Sequence, residues 1–137
     1  MQITINDVTY YLNFGIGFIR EMDQRFYQMV NGVRYGVAMD MKFPALVVGE
    51  MVALSDVLYS GTHVAEQRPK LNEVDDYVEN HEDLESVFAE VIEELKKSNA
   101  TKAKMKMYAV SDAEIKKAAE ELEKKKKKPQ KKPTNAS

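Results

Sequence analysis

A chain of 137 residues, 44% hydrophobic and 31% charged, has room for one domain with an appendage and for a sizeable core. It contains no cysteine, which excludes a disulfide framework, a thiolate metal site and a cysteine nucleophile. The formal net charge of −2 conceals a partition: residues 1–95 hold 6 basic and 17 acidic side chains, and residues 96–137 hold 14 lysines and 5 acids. Such blocks mark an acidic folded body with a basic interaction tail.

The opening Met1-Gln2-Ile3-Thr4-Ile5-Asn6-Asp7 lacks the basic-then-apolar order of a secretory signal. The longest apolar runs are about four residues, where a membrane helix needs about 20. The expected address is therefore the cytosol in which the chain is made, with no membrane partner. Ile3-Thr4-Ile5 and Val8-Thr9-Tyr10-Tyr11 flank Asn6-Asp7, types that tolerate positive φ, and this spacing predicts a β-hairpin with Ile3 and Ile5 on one face. A lone hairpin is marginal in water, so it must pack on a helix. That helix is expected up to Val30, because Ile19, Met22, Phe26 and Met29 recur at helical spacing, with Asn31-Gly32 as its stop. Gly15 and Gly17 would let the hairpin fold back closely.

Residues 33–61 read as helix, break, helix. A short helix near 36–41 is followed by Pro44, which opens or kinks what comes next, and by a break at Gly49. Met51, Leu54, Val57 and Leu58 then recur at helical spacing up to Gly61. Gln67-Arg68-Pro69-Lys70 is a loop. Asn72 is a fair N-cap for a helix reaching about Asn80, with Glu73, Asp75 and Asp76 where the helix dipole favours acids. Leu84, Val87, Phe88, Val91, Ile92 and Leu95 form the clearest helical stripe and are expected in the core.

Residues 102–110 alternate loosely, and periodicity does not separate strand from helix there. Ser111-Asp112-Ala113-Glu114 is a capping box. The helix it opens has only Ile115, Ala118, Ala119 and Leu122 as its stripe, too little apolar area for firm docking. Residues 124–137 begin with five lysines, contain two prolines and are expected to be disordered. The fold class is thus α+β: a mostly α-helical bundle with a small N-terminal β-hairpin and a disordered Lys-rich C-terminal tail. The expected divisions are a folded domain over 1–98, a connector and weakly docked helix over 99–123, and the basic tail over 124–137.

Little in this chain points to catalysis. His63 and His81 are 18 residues apart, and neither sits in a ligand motif, whereas a metal site needs three or four converging ligands. The adjacent acids Asp75-Asp76 and Glu93-Glu94 do not face each other on a helix. Gly15-x-Gly17 lacks the third glycine and the βαβ setting of a dinucleotide fingerprint. There is no G-x-S-x-G, H-E-x-x-H or P-loop. No catalytic, metal or cofactor-binding residue is assigned, and the chain is not expected to be an enzyme.

Eight methionines are many for this length. Core filling accounts for most of them, but Met105 and Met107 lie in a poorly core-like region and suit an adaptable binding surface. The lysine tail has three physical readings. It is a solubilising end, or a phosphate-neutralising segment without the aromatics and arginines that read bases, or a contact to the acidic body of a neighbouring copy. The acidic body opposes a second phosphate-binding surface, so nucleic acid is not the expected partner.

The order of several short motifs resembles a known family. The hairpin Ile3-Thr4-Ile5-Asn6-Asp7-Val8-Thr9-Tyr10 leads into Phe14-Gly15-Ile16-Gly17-Phe18-Ile19-Arg20-Glu21-Met22-Asp23. Then come Val52-Ala53-Leu54-Ser55-Asp56-Val57-Leu58-Tyr59-Ser60-Gly61-Thr62, Arg68-Pro69 and Glu73-Val74-Asp75-Asp76-Tyr77-Val78. Over about residues 1–98 the chain resembles the tail assembly chaperones of long-tailed phages infecting Gram-positive bacteria.

The resemblance implies a non-enzymatic protein of the host bacterial cytoplasm. It would bind the tape measure protein, keep it soluble until tail tube subunits polymerise around it, and be absent from the finished virion. Family genes commonly make a longer product by programmed ribosomal frameshifting, which would carry the tail tube protein contacts; the lysine run at 124–128 is what an A-rich slippery stretch would encode. Rings or spirals in the family add a possible homo-oligomer to the partners. An amphipathic helix or a methionine-lined groove would cover the apolar stripe of a tape measure chain. The expected partner-binding residues are Met105, Met107, Ile115, Ala118, Ala119 and Leu122. Truncation after about residue 100 is expected to leave a folded protein that no longer keeps the tape measure protein soluble. Two other readings stay open: a different tail or connector morphogenesis protein retained in the particle, and a small nucleic-acid-binding protein using its lysine tail.

Overall fold

A computed structural model describes residues 1–109 and 119–125 of the chain. β1 (Gln2–Ile5) and β2 (Val8–Tyr11) pair antiparallel with Ile5 opposite Val8. Asn6 and Asp7 take φ of 50° and 65°, the double positive φ of the tight turn whose twist suits a two-residue hairpin. Ile3 and Ile5 are buried, and Gln2 and Thr4 face out, as the alternation predicts.

The hairpin feeds α1 (Ile16–Arg25), which buries Phe18 and Met22 one turn apart. Phe14 meets Phe18 edge to face, with ring centroids 5.1 Å apart. α2 (Ala38–Val47), α3 (Met51–Gly61), a one-turn 3-10 helix (Thr62–Val64), α4 (Leu71–Asn80), α5 (Leu84–Lys97) and α6 (Lys102–Tyr108) follow. α3 sits at the centre, packed against α1, α2 and α4, and α2 links that group to α5 and α6. One contiguous core joins Phe18, Phe43, Leu54, Val74, Val91 and Met105. The expected α+β class, mostly helical with an N-terminal hairpin, is what the structure has.

Ion pairs tie the bundle across its layers. Asp56 of α3 is buried and accepts from Arg25 of α1 at 2.7 Å and from Lys42 of α2 at 2.8 Å. Both cations lie over the Phe26 ring. Arg68 holds the loop before α4 in place. It donates to Glu21 at 2.6 Å and to the Tyr59 carbonyl at 2.9 Å while stacking on the Tyr59 ring.

Three local expectations need correction, and one left open is decided. The first helix stops at Arg25, and a second hairpin follows, β3 (Tyr27–Val30) with β4 (Val33–Gly36). Asn31 and Gly32 are its turn, at φ 51° and 77°, so Asn-Gly acts as the strongest short hairpin signal and not as a helix stop. Met29, read as the end of the helical stripe, stands on an exposed strand. The second helix is longer than expected and runs through Pro44. The proline supplies no N–H to the Asp40 carbonyl, yet Phe43 and Leu46 on either side are fully buried and hold the helix to the core. Lys70, not Asn72, is the N-cap of α4; its backbone N–H donates to the Glu73 carboxylate at 2.9 Å. Residues 102–108, undecided by periodicity, are helical.

α6 is part of the folded body. Thr101 is buried and donates to the Leu95 carbonyl at 2.6 Å, and Met105 reaches the core between α2 and α5. Lys104 and Tyr108 both donate to the Asp40 carboxylate of α2, at 2.8 and 2.7 Å. A truncation meant to remove only the C-terminal segment therefore belongs after residue 109. Residues 119–125 are helical and exposed. Residues 110–118 and 126–137, with Ile115, Ala118 and the tail from Lys126 onward, lie outside the described residues.

Candidate functional site

α3 is apolar on more than one side. Ala53, Leu54, Val57 and Leu58 point inward and are buried, whereas Met51 and Val52 in its first turn are exposed, Val52 at 71%. The preceding corner adds Val48, 75% exposed. Gly49 adopts φ 84° there, a backbone geometry that favours glycine, and it reverses the chain from α2 into α3. α4 is amphipathic: Val74 and Val78 are buried, Leu71 at its start is partly exposed, and Asp75, Asp76 and Glu79 face water.

Between α3 and α4 lies an open cleft of about 410 Å³. It is lined by Met51, Val52, Ser55, Leu71 and Val78, by the buried Asp56, and by Asp75 and Glu79, which are exposed. The Ser55 hydroxyl donates to the Asp75 carboxylate, which fixes that acid against α3. Asp56 is already engaged by Arg25 and Lys42. The site is thus an apolar trough lined with carboxylates, and the exposed Val48 precedes it in the chain at the α2–α3 corner. Exposed apolar patches rimmed by polar groups mark interaction surfaces. A trough between two helices suits the apolar face of a third, and this rim favours a partner helix flanked by cations.

The distribution of charge reinforces that selection. Residues 48–95 carry 13 acidic and 2 basic side chains, and residues 16–47 carry 3 acidic and 4 basic. Tyr77 of α4 has its phenol pKa raised, first by burial and then by the nearby Glu90 carboxylate. Among the described residues no three His, Cys, Asp or Glu side chains come together as a metal-binding group. His63 lies beside Gly17, where a side chain on the glycine would strike its ring. His81 caps α4, its ring nitrogen accepting from the Asp83 amide at 3.0 Å. No described helix is long and apolar enough to cross a membrane.

The residues singled out from sequence are dispersed. Met105 is fully buried and fills the core, so in this fold it offers no surface; Met107, two positions along α6, is 61% exposed. Ala119 and Leu122 are exposed on the helical residues 119–125. The exposed methionines that sequence reasoning did not assign to a surface are Met29, Met41 and Met51. Met51 and Val52 were legible as the start of α3. Nothing in their periodicity, however, said that α4 would leave them open.

A sequence model of a family described as phage tail assembly chaperone protein, TAC, matches residues 2–109. That range ends one residue beyond α6 and so covers both hairpins, α1 to α6 and the cleft. No curated protein and no solved structure matches the chain.

Proposed function

The chain belongs to the phage tail assembly chaperone family, and from that premise we propose that it binds the tape measure protein and keeps it soluble in the host cytoplasm. It would then release the tape measure protein as tail tube subunits polymerise around it, and so be absent from the finished virion. The observation that carries this reading is the acid-rimmed apolar trough between α3 and α4, open at Met51, Val52 and Leu71. A tape measure chain is long and helical with an apolar stripe. A helix of that kind buries its stripe in such a trough, and cations beside the stripe meet Asp75 and Glu79. The family is not a class of enzymes. Contacts to the tail tube protein fall to a longer product made by frameshifting near the lysine codons. Met107, Ile115, Ala118, Ala119 and Leu122 would extend the grip on the tape measure protein beyond the folded body.

Co-expression tests this directly. The soluble fraction of the tape measure protein is measured with the full chain, with Val52→Asp, with Glu79→Lys, and with the chain cut after residue 109. Val52 and Glu79 are exposed, so both point variants keep the fold. Each is expected to weaken capture about tenfold, a loss of about 1.4 kcal/mol. Undiminished solubility with both variants overturns the trough as the binding surface. Undiminished solubility with the truncated chain removes the C-terminal residues from it. Recovery of the protein in purified virions by mass spectrometry overturns the chaperone role in favour of a retained tail component.

A further inference from the structure

The β3–β4 hairpin stands away from the bundle. All eight of its strand residues are exposed, among them Tyr27, Met29, Val30, Val33 and Tyr35. Its root is fixed. Val37 donates to the Phe26 carbonyl at 3.2 Å, Arg34 reaches back to the Gln24 carbonyl at 2.7 Å, and the Asp23 carboxylate accepts from Ala38 at 3.1 Å. β4 also packs against α1. β3 has β4 on one side, and among the described residues no strand pairs with its other edge.

The register says which backbone groups that edge presents. Val30 is opposite Val33 and Gln28 opposite Tyr35, and in a two-residue hairpin these are the hydrogen-bonded pairs. The N–H and C=O of Tyr27 and Met29 therefore point outward. Soluble proteins guard such edges with lysine, proline, bulges or a covering element. β3 reads Tyr-Gln-Met-Val, with none of these.

We propose that the outer edge of β3 is a self-association site, pairing antiparallel with β3 of a second copy of this chain about a twofold axis at Gln28. In that register Tyr27 pairs with Met29 of the other copy on both sides of the axis. Both outward residues of each chain are then used, and the two hairpins become one four-stranded sheet. An isologous interface of this kind closes on itself. The self-complementary register suits a second copy, and charge favours this end of the molecule for it. β3 is uncharged, and residues 16–47 around it carry 4 basic and 3 acidic groups, so two copies approach there without repulsion. Any approach through α4 and α5 sets two strongly acidic faces against each other. Area sets the strength. A hairpin of this size buries well under the ~1,600 Å² of a standard interface, which places the pair among weak, reversible associations.

Sedimentation of the full chain in about 0.5 M salt, where charge contacts are screened within a few ångströms, tests the idea. A monomer–dimer equilibrium is expected at tens of micromolar. Met29→Pro removes an outward N–H that the hairpin's own ladder does not use, and Met29→Lys places like charges near the axis. Each is expected to weaken the dimer at least tenfold with an unchanged circular dichroism spectrum. The chain has no cysteine, so Gln28→Cys adds a single thiol. Non-hydrogen-bonded antiparallel neighbours lie about 4.5 Å apart at Cα, within disulfide reach. Gln28→Cys should form a covalent dimer on mild oxidation, and Thr4→Cys on the other hairpin should not. A full chain that stays monomeric at several hundred micromolar overturns the proposal. So does a dimer indifferent to both Met29 variants, or a Gln28→Cys thiol that links only to a co-expressed tail protein.

Discussion

Replacing Met105 with alanine decides whether α6 belongs to the body in solution. Its side chain is fully buried among α2, α5 and α6. Truncation removes three heavy atoms beyond Cβ, about 2.4 kcal/mol of transfer free energy at ~0.8 kcal/mol per buried group. The cavity left behind adds to this, because a close-packed interior relaxes only in part, and buried Met→Ala changes cost about 2–5 kcal/mol. A loss of about 3 kcal/mol is therefore expected. In a domain of roughly a hundred residues, where ~1 kcal/mol shifts Tm by about 4–8 °C, Tm should fall by about 12–24 °C. Urea denaturation followed by circular dichroism measures the loss at an unchanged m-value. Met107→Ala, on the exposed face of the same helix, is the control and should change stability by less than about 0.5 kcal/mol. A Met105→Ala loss below about 1 kcal/mol would refute the docking of α6.

Asp56→Ala leaves Arg25 and Lys42 facing one another without their shared carboxylate. Removing one partner of a buried pair costs about 3–5 kcal/mol, and partial exposure of the cations puts the expected loss near 3 by urea titration. At Gly36 a Cβ would run into the Asp23 carboxyl, which caps the Ala38 N–H at the start of α2. Gly36→Ala should thus cost about 1–3 kcal/mol by the same assay. The Asp40 pKa is lowered, first by the hydrogen bond from Lys104 and then by that from Tyr108; those of Lys104 and Tyr108 are raised, in each case first by the hydrogen bond to Asp40. Stability from Asp40 is present above its unfolded pKa and lost as pH falls through the lower folded one. Stability from Lys104 and Tyr108 is present below their unfolded values and lost as pH rises through the higher folded ones. Nuclear magnetic resonance shifts of α6 should be flat from about pH 5 to 9 and move outside that window; a midpoint inside it would refute the clasp.

What was legible in the sequence was what local physics fixes. Asn6-Asp7 between β-branched segments gave the first hairpin, and the stripe from Leu84 to Leu95 gave α5 and its buried face. Misreadings arose where two periods overlapped. Ile19, Met22, Phe26 and Met29 satisfy a helical spacing, while Tyr27, Met29 and the Val30–Val33 pair satisfy an alternating one. Asn31-Gly32 decides for the hairpin because only a tight turn uses two successive positive φ values. Intrinsic propensity alone makes Pro44 a boundary; the burial of Phe43 and Leu46, which tertiary packing supplies, carries the helix through it. The trough was not legible at all. Whether Met51 and Val52 are covered depends on where α4 crosses α3, and no periodicity within α3 encodes that crossing.

A protein that shields another chain's apolar stripe has to expose apolar surface without that surface adhering to its own copies. The charge layout here separates capture by the trough from self-pairing at β3. The trough lies within residues 48–95, where 13 acids outnumber 2 bases, so two troughs repel each other while a cation-flanked helix is drawn in. Salt should divide the two surfaces accordingly. The Debye length falls from about 10 Å at 0.1 M to about 3 Å at 1 M, so capture by the trough should weaken severalfold across that range. Pairing of β3 edges, which carry no charge, should hold or strengthen as apolar burial dominates. Titration of a fluorescent basic amphipathic peptide, run beside sedimentation at each salt concentration, reads both. If the two affinities decline together, the two surfaces are not separated by charge in the way the layout indicates.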